Sequence, residues 1–159
     1  MGAPPAKTAT RAPVADCRSR QPWLSWDEVP DNPDLSRPWF LESFAGTAGV
    51  TRAILQFTTL WCLPPIEAKA NSFVPVPADI FDPKLRAKVE RWLASGAIVG
   101  QHFGTPCSSY TRARRRDSGP PPIRDNDHLD GLPNLSPLDQ EKVRVGAACM
   151  ETTASWVNM

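Results

Sequence analysis

The sequence predicts an α/β domain with a mainly parallel sheet and flanking helices. Two observations carry that prediction. Extended apolar segments alternate with helical patterns over residues 39–159, and the best-marked turns fall where strands end. Such alternation argues for parallel strands joined by crossover helices. The first strand is Trp39–Phe44, a short apolar run that ends in Ala45-Gly46. Val50, Ala53, Ile54, Phe57 and Trp61 then fall at the spacing of a helical apolar stripe. Leu63–Glu67 reads as a second strand, limited by Pro64 and Pro65 to an edge or a short stretch. Ser72–Asp79 is extended, because residues that precede prolines avoid the helical region. The clearest helix follows, with Asp82 at the N-cap, Pro83 at the first position, Leu85, Val89, Trp92 and Leu93 inward, and Gly96 just past its end. Ala97–Phe103 reads as a central strand running into Gly104-Thr-Pro-Cys107. After a long irregular stretch, Ser136-Pro137 opens a last helix with Leu138, Val143, Ala147, Met150 and Val157 on one side.

The chain has 159 residues, about one domain's worth. Its 18 prolines are concentrated at the start, seven of them before residue 39. Residues 1–38 therefore read as an irregular or disordered leader, with Trp23, Trp26 and Trp39 pinning its end onto the domain of residues 39–159. Net charge is +1, which gives the whole chain no nucleic-acid signature, yet Arg112, Arg114, Arg115, Arg116 and Arg124 against Asp117 make a local +4. No apolar run approaches the ~18 residues that span a bilayer, so no membrane partner is expected. Cys17, Cys62, Cys107 and Cys149 are widely spaced, no CxxC occurs, and His102 and His128 are the only imidazoles. Neither a metal site nor a disulfide framework is expected, and an intracellular, reducing compartment follows, the nucleus included.

Phe44-Ala-Gly-Thr-Ala-Gly49 places two glycines three apart between a strand and a helix. Glycine there tolerates positive φ and lets backbone approach a ligand. By itself the hexapeptide is equally an ordinary βα turn. It is not GxGxxG and lacks the Gly-Lys-Ser/Thr of a phosphate loop, which leaves pyrophosphate and kinase-type chemistry with weak support. Two carboxylates add weight. Glu67 closes the second strand, where an acid can accept hydrogen bonds from ribose hydroxyls, and Asp79 with Ile80 closes the third extended segment.

Phe44-Ala-Gly-x-x-Gly after a strand resembles the first motif of the C5-cytosine DNA methyltransferases, roughly Asp-Leu-Phe-Ala-Gly-x-Gly-Gly. Glu42 stands for the aspartate, Ser43 for the leucine and Ala48 for one glycine. Gly104-Thr-Pro-Cys107-Ser-Ser-Tyr-Thr111 resembles that family's nucleophile loop, Gly-Pro-Pro-Cys-Gln-x-Phe-Ser. The resemblance implies a class I, Rossmann-like fold and S-adenosylmethionine as cofactor. Phe44, Gly46, Thr47, Gly49 and Pro106 would line its pocket, Glu67 would hold the ribose, and Asp79 with Ile80 would contact the adenine. Cys107 would be the nucleophile.

A thiolate suits that chemistry because it adds to C6 of cytosine and makes C5 electron-rich enough to accept a methyl group. The base must first be flipped out of the duplex. By the same resemblance Arg112, Arg114, Arg115 and Arg116 would hold DNA phosphates or favour the thiolate, although a solvated loop or a nuclear-localisation-like run accounts for them equally well. A lone cysteine in this position is more often a small buried residue; the motifs together reverse that balance.

The resemblance covers residues 39–111. The family's Glu-Asn-Val segment and its later Gln-x-Arg-x-Arg segment do not occur in this chain. The expectation is an incomplete domain, inactive alone, with an unpaired sheet edge and an exposed apolar helix face awaiting a complementing polypeptide. A noncatalytic cofactor- or nucleic-acid-binding remnant is the alternative. A Cys107–His102 thiol enzyme is a third reading, opposed by geometry: five residues apart on a strand, the two point to opposite faces.

Overall fold

The computed structural model describes residues 17–110 and 119–159. After a short 3-10 turn at Cys17–Arg20 come β1 (Trp39–Ser43), α1 (Gly49–Phe57), β2 (Trp61–Cys62), α2 (Pro83–Ala94), β3 (Ile98–Phe103) and α3 (Pro137–Val157). The sheet is parallel, in the order β2-β1-β3. The α/β class is therefore present as a small, open, three-stranded sheet with helices on both sides.

The two faces of β1 divide the core. Trp39 and Leu41 point to a large cluster that takes in Leu63, Ile66, Val89 and Trp92 of the following segments, Trp26 and Val29 from upstream, and Trp156 of α3. Phe40 points the other way, onto Leu55 of α1 and Cys62 of β2. Opposite placement of α1 and α2 follows from the winding. The chain steps from β1 to β2 on one side, then crosses back over β1 to β3; with right-handed crossovers the two connecting helices must cover opposite faces.

Four tryptophans close the end of the sheet where the strands begin. Trp39 stacks on Trp23 at 5.0 Å between centroids and meets Trp92 edge-on at 5.5 Å. Buried indole nitrogens find carbonyls: Trp26 Nε1 donates to Pro64 and Trp92 Nε1 to Pro30. Lys88 Nζ donates to the Trp26 and Val29 carbonyls as well, so residues 23–31 are bound into the core by both packing and hydrogen bonds. The expected pinning by Trp23, Trp26 and Trp39 is what the structure contains.

Helix α2 matches its expectation residue for residue. Asp82 Oδ1 accepts from Lys84 N–H (2.7 Å) and Leu85 N–H (3.4 Å), Pro83 is the first residue, and Gly96 takes φ +76° beyond the Ser95 C-cap. The expected inward residues Leu85, Val89, Trp92 and Leu93 are all buried.

Several expectations change. The second strand is Trp61–Cys62, not Leu63–Glu67; Pro64 and Pro65 have no N–H to give, so only a single bridge, Ser43 to Ile66, continues the pairing. Trp61 consequently leaves the α1 stripe, and α1 buries Thr51 and Leu55 while Phe57 stays 72% exposed. Residues 72–79 form no strand and tie back through Ala78 N–H to Glu67 O. Strand β3 lies at the edge and β1 at the centre. Among the described residues nothing pairs with its outer edge, and the register shift opposite Trp39 and Phe40 leaves Val99 as a bulge, 59% exposed. In α3 the buried row is Val143, Gly146, Cys149, Thr152 and Trp156, whereas Leu138, Met150 and Val157 face outward.

Replacing Asp82 with alanine removes the side-chain cap of α2. The expected loss is about 1 kcal/mol, read as a lower urea midpoint at unchanged slope.

Candidate functional site

The turn after β1 is held in an unusual backbone course. Phe44, Gly46 and Ala48 have φ of +54°, +52° and +52°. For Phe44 and Ala48 the left-handed conformation costs about 1–2 kcal/mol each, so the surroundings must supply contacts that offset it. Glu42 is the first of them. It is 3% exposed, and its carboxylate accepts the N–H groups of Thr51 (2.6 Å) and Val50 (3.3 Å). Ala48 at the N-cap of α1 makes no side-chain cap bond, so a carboxylate projecting from the strand satisfies the helix start instead. His102, the register partner of Glu42 on β3, places Nδ1 3.8 Å from Glu42 Oε1. At the far end of α1, the Arg20 guanidinium donates to the Leu55 and Thr58 carbonyls, a cation where the helix dipole is negative.

Glu67 is the second contact. Its Oε2 accepts from Gly46 N–H at 2.8 Å and its Oε1 from Lys69 N–H at 3.2 Å. Asn71, which no sequence motif marked, donates from Nδ2 to the Gly46 carbonyl at 2.8 Å. Asp79 accepts from Phe81 N–H through Oδ1 and sits exposed at the start of a turn.

The loop after β3 meets this turn at Gly104. Gly104 N–H donates to Ser43 O at 2.9 Å, and a Cβ on Gly104 would lie 2.5 Å from the Phe44 carbonyl oxygen. Only glycine lets the two loops pass this closely. Helix α3 holds the rest of the loop: the Thr105 and Thr153 hydroxyls are 2.8 Å apart, and Ser109 is buried against Gly146. Cys107 is exposed, and its carbonyl accepts from Tyr110 N–H. Arg124 belongs to this scaffold. It is 7% exposed, donates to the Leu129 and Val143 carbonyls, and covers the Tyr110 ring at 4.0 Å. It is a packing residue and not an available cation of the basic cluster. Arg112, Arg114, Arg115, Arg116 and Thr111 lie outside the described residues.

These loops enclose a cleft of about 290 Å³ at the carboxyl ends of β1 and β3. Phe44, Gly46, Glu67, Asp79, Ile80 and Pro106 all line it. Thr47 and Gly49 are exposed in the same turn but do not line the cleft. Ala78, Phe81, Val145 and Cys149 are also in the wall; the last two come from α3, whose inward face includes small and polar residues that a count of large apolar side chains overlooks. A larger depression of about 540 Å³ lies between the N-terminal segment and α2 and shares Ala78 and Asp79 with the cleft. Of its basic residues Lys84, Lys88 and Arg91, the last two are paired with Asp31; no residue of the glycine turn lines it, so the smaller cleft is the better ligand candidate. No cluster of metal-ligating side chains occurs among the described residues, and none of their helices is long and apolar enough to cross a membrane.

The thiols differ in environment. Burial pushes the Cys62 thiol up to about 12, with nearby Arg20 lowering and Glu42 raising it, and burial followed by Asp79 raises Cys149. Of these three thiols, Cys107 is exposed. Compared with known proteins, the chain matches no family model, no curated protein and no solved structure.

Three outcomes are expected. Gly104→Ala loses about 1–3 kcal/mol because the methyl collides with backbone, whereas Gly49→Ala, with nothing within 4 Å, stays within about 0.5 kcal/mol of wild type; urea titration compares them. In a Cys17→Ser background near neutral pH, an alkylating agent modifies Cys107 first, since the buried thiols hold their protons; mass mapping of the labelled peptide checks the order. The Cys62 contribution to stability is complete below its ordinary value of 9.0 and is lost as pH rises toward about 12, because only the unfolded chain ionises that thiol in between.

Proposed function

We propose that this chain carries the donor-binding and nucleophile half of an S-adenosylmethionine-dependent C5-cytosine DNA methyltransferase-like domain, and that alone it binds the donor without transferring the methyl group. One observation carries the reading. Residues from the turn after β1, the segment after β2 and the loop after β3 line a single cleft where the strand order reverses, the position at which parallel sheets take ligands. Six of the eight cofactor residues implied by the family resemblance are in its wall.

The donor set suits an adenosine. The cleft is at the small end of ligand sites, which run from about 300 Å³ upward, and its walls are largely apolar around two carboxylates. A carboxylate offers about four acceptor positions, and the Glu67 bonds to Gly46 and Lys69 leave capacity for a ribose diol. When bound, S-adenosylmethionine supplies an electrophilic methyl group. Pro106 lines the cleft and Cys107 follows it into solvent, which suits a nucleophile that must meet a base flipped out of DNA. The chain contains no Glu-Asn-Val segment to assist addition to the cytosine ring. The outer edge of β3, which none of the described residues pairs, supports the reading that a complementing polypeptide extends the sheet.

Calorimetric titration with S-adenosylmethionine tests the donor site. Saturable binding is expected, weakened about tenfold or more by Glu67→Ala; no binding by the folded protein would sink the proposal. Incubation with a 5-fluorocytosine oligonucleotide and the donor is expected to give no covalent adduct. An adduct that disappears in Cys107→Ala would overturn the part of the reading that makes the lone chain inactive.

A further inference from the structure

We infer that Asn71 is a positioning residue for the donor site, acting through the backbone of Gly46. The inference rests on the reading of Glu67 as the ribose acceptor. Gly46 is tied at both ends to one loop: its N–H donates to Glu67 Oε2 (2.8 Å) and its carbonyl accepts from Asn71 Nδ2 (2.8 Å). Asn71 is itself fixed. Its Oδ1 accepts from Phe73 N–H (2.9 Å) and Val74 N–H (3.1 Å), and its own N–H donates to Val74 O (2.9 Å). Val74, 3% exposed, packs on Ala45 and Ala48 on either side of the glycine, so the loop grips the turn by apolar contact as well.

The grip matters because of what glycine allows. Gly46 lies at φ +52° and has no side chain to restrict rotation about its Cα, so its conformation depends on how the two flanking peptide groups are held. The N–H that Glu67 holds belongs to the peptide before the Cα, and the carbonyl that Asn71 holds to the peptide after it. Were the second free to turn, φ and ψ of Gly46 could change together, and Glu67 would lose the aligned partner that fixes its rotamer. Asn71 closes that route by holding the carbonyl. A ribose would then meet a carboxylate already in place, and binding would not have to order it. The effect is indirect: Asn71 does not line the cleft.

Asn71→Asp separates this role from simple loop maintenance. The aspartate keeps the acceptor that serves Phe73 and Val74. Ionised, it cannot donate to the Gly46 carbonyl; protonated, it can. The charged groups around it are Glu67 and Lys69 of the same loop and Arg52 of α1, which stacks on Phe73 at 4.0 Å, so wild type at each pH is the reference. The measurements are the dissociation constant for S-adenosylmethionine at about pH 7.5 and at about pH 4.5, near an ordinary aspartate pKa, and the amide hydrogen exchange of Gly46 in ligand-free protein. At the higher pH, Asn71→Asp is expected to bind about tenfold more weakly than wild type and to exchange Gly46 faster, with both gaps narrowing at the lower pH. Asn71→Ser, too short to reach Gly46 but able to make the local turn, should show the loss at both pH values, and it carries the test if the aspartate variant does not fold. Wild-type affinity and exchange in the folded variants would overturn the inference. Absence of donor binding by wild type would instead remove the proposed function, and Gly46 exchange alone would still report whether the clamp exists.

Discussion

Everything at the candidate site depends on the reversal of direction around β1. The chain leaves β1 for β2 on one side and returns to β3 on the other. The connecting elements are thereby sent to opposite faces, and the loops that follow β1 and β3 diverge above neighbouring strand ends. Gly104 marks the crossing: its N–H reaches Ser43 while its Cα passes the Phe44 carbonyl with no room for a side chain. A different strand order would set the glycine turn and the Cys107 loop on unrelated parts of the surface.

Above that crossing, carboxylates and an amide perform work that backbone hydrogen bonding leaves undone. Glu42 satisfies the start of α1 in place of an N-cap side chain. Glu67 and Asn71 hold the two peptide groups that flank the Gly46 Cα. Two non-glycine residues in left-handed conformation persist because these contacts over-determine the turn. The cost is local and the restraint comes from β1 and from the loop that carries Glu67 and Asn71, an arrangement suited to holding a ligand site in one geometry.

Helix α3 contributes differently. Its inward row of small and polar residues lets the loop of residues 104–110 lie close, with Ser109 against Gly146 and Thr105 against Thr153. The same row brings Val145 and Cys149 to the cleft. A bulkier face would separate α3 from the loop and open the cleft to solvent.

Local chemistry was legible along the chain. The Asp82-Pro83 start and Gly96 stop of α2, the apolar run of β1 and the pairing of Glu67 and Asp79 with a glycine turn all follow from preferences of neighbouring residues, and the structure contains them. Faces were harder. Thr51 is buried in α1 and Phe57 is not, because Glu42 sets how that helix rotates against the sheet. Trp61 belongs to β2, since two prolines cannot donate to a ladder and pairing must precede them. Asn71 carried no signal at all: its partner is 25 residues away, and only the folded loop brings amide and carbonyl together. Residue types and their spacing therefore determined β1, α2 with its caps, and the chemistry carried by the segments beyond the strands. Tertiary structure alone decided strand order, helix rotation and which acceptors remain available to a ligand, because each depends on contacts between segments that the chain's local preferences do not encode.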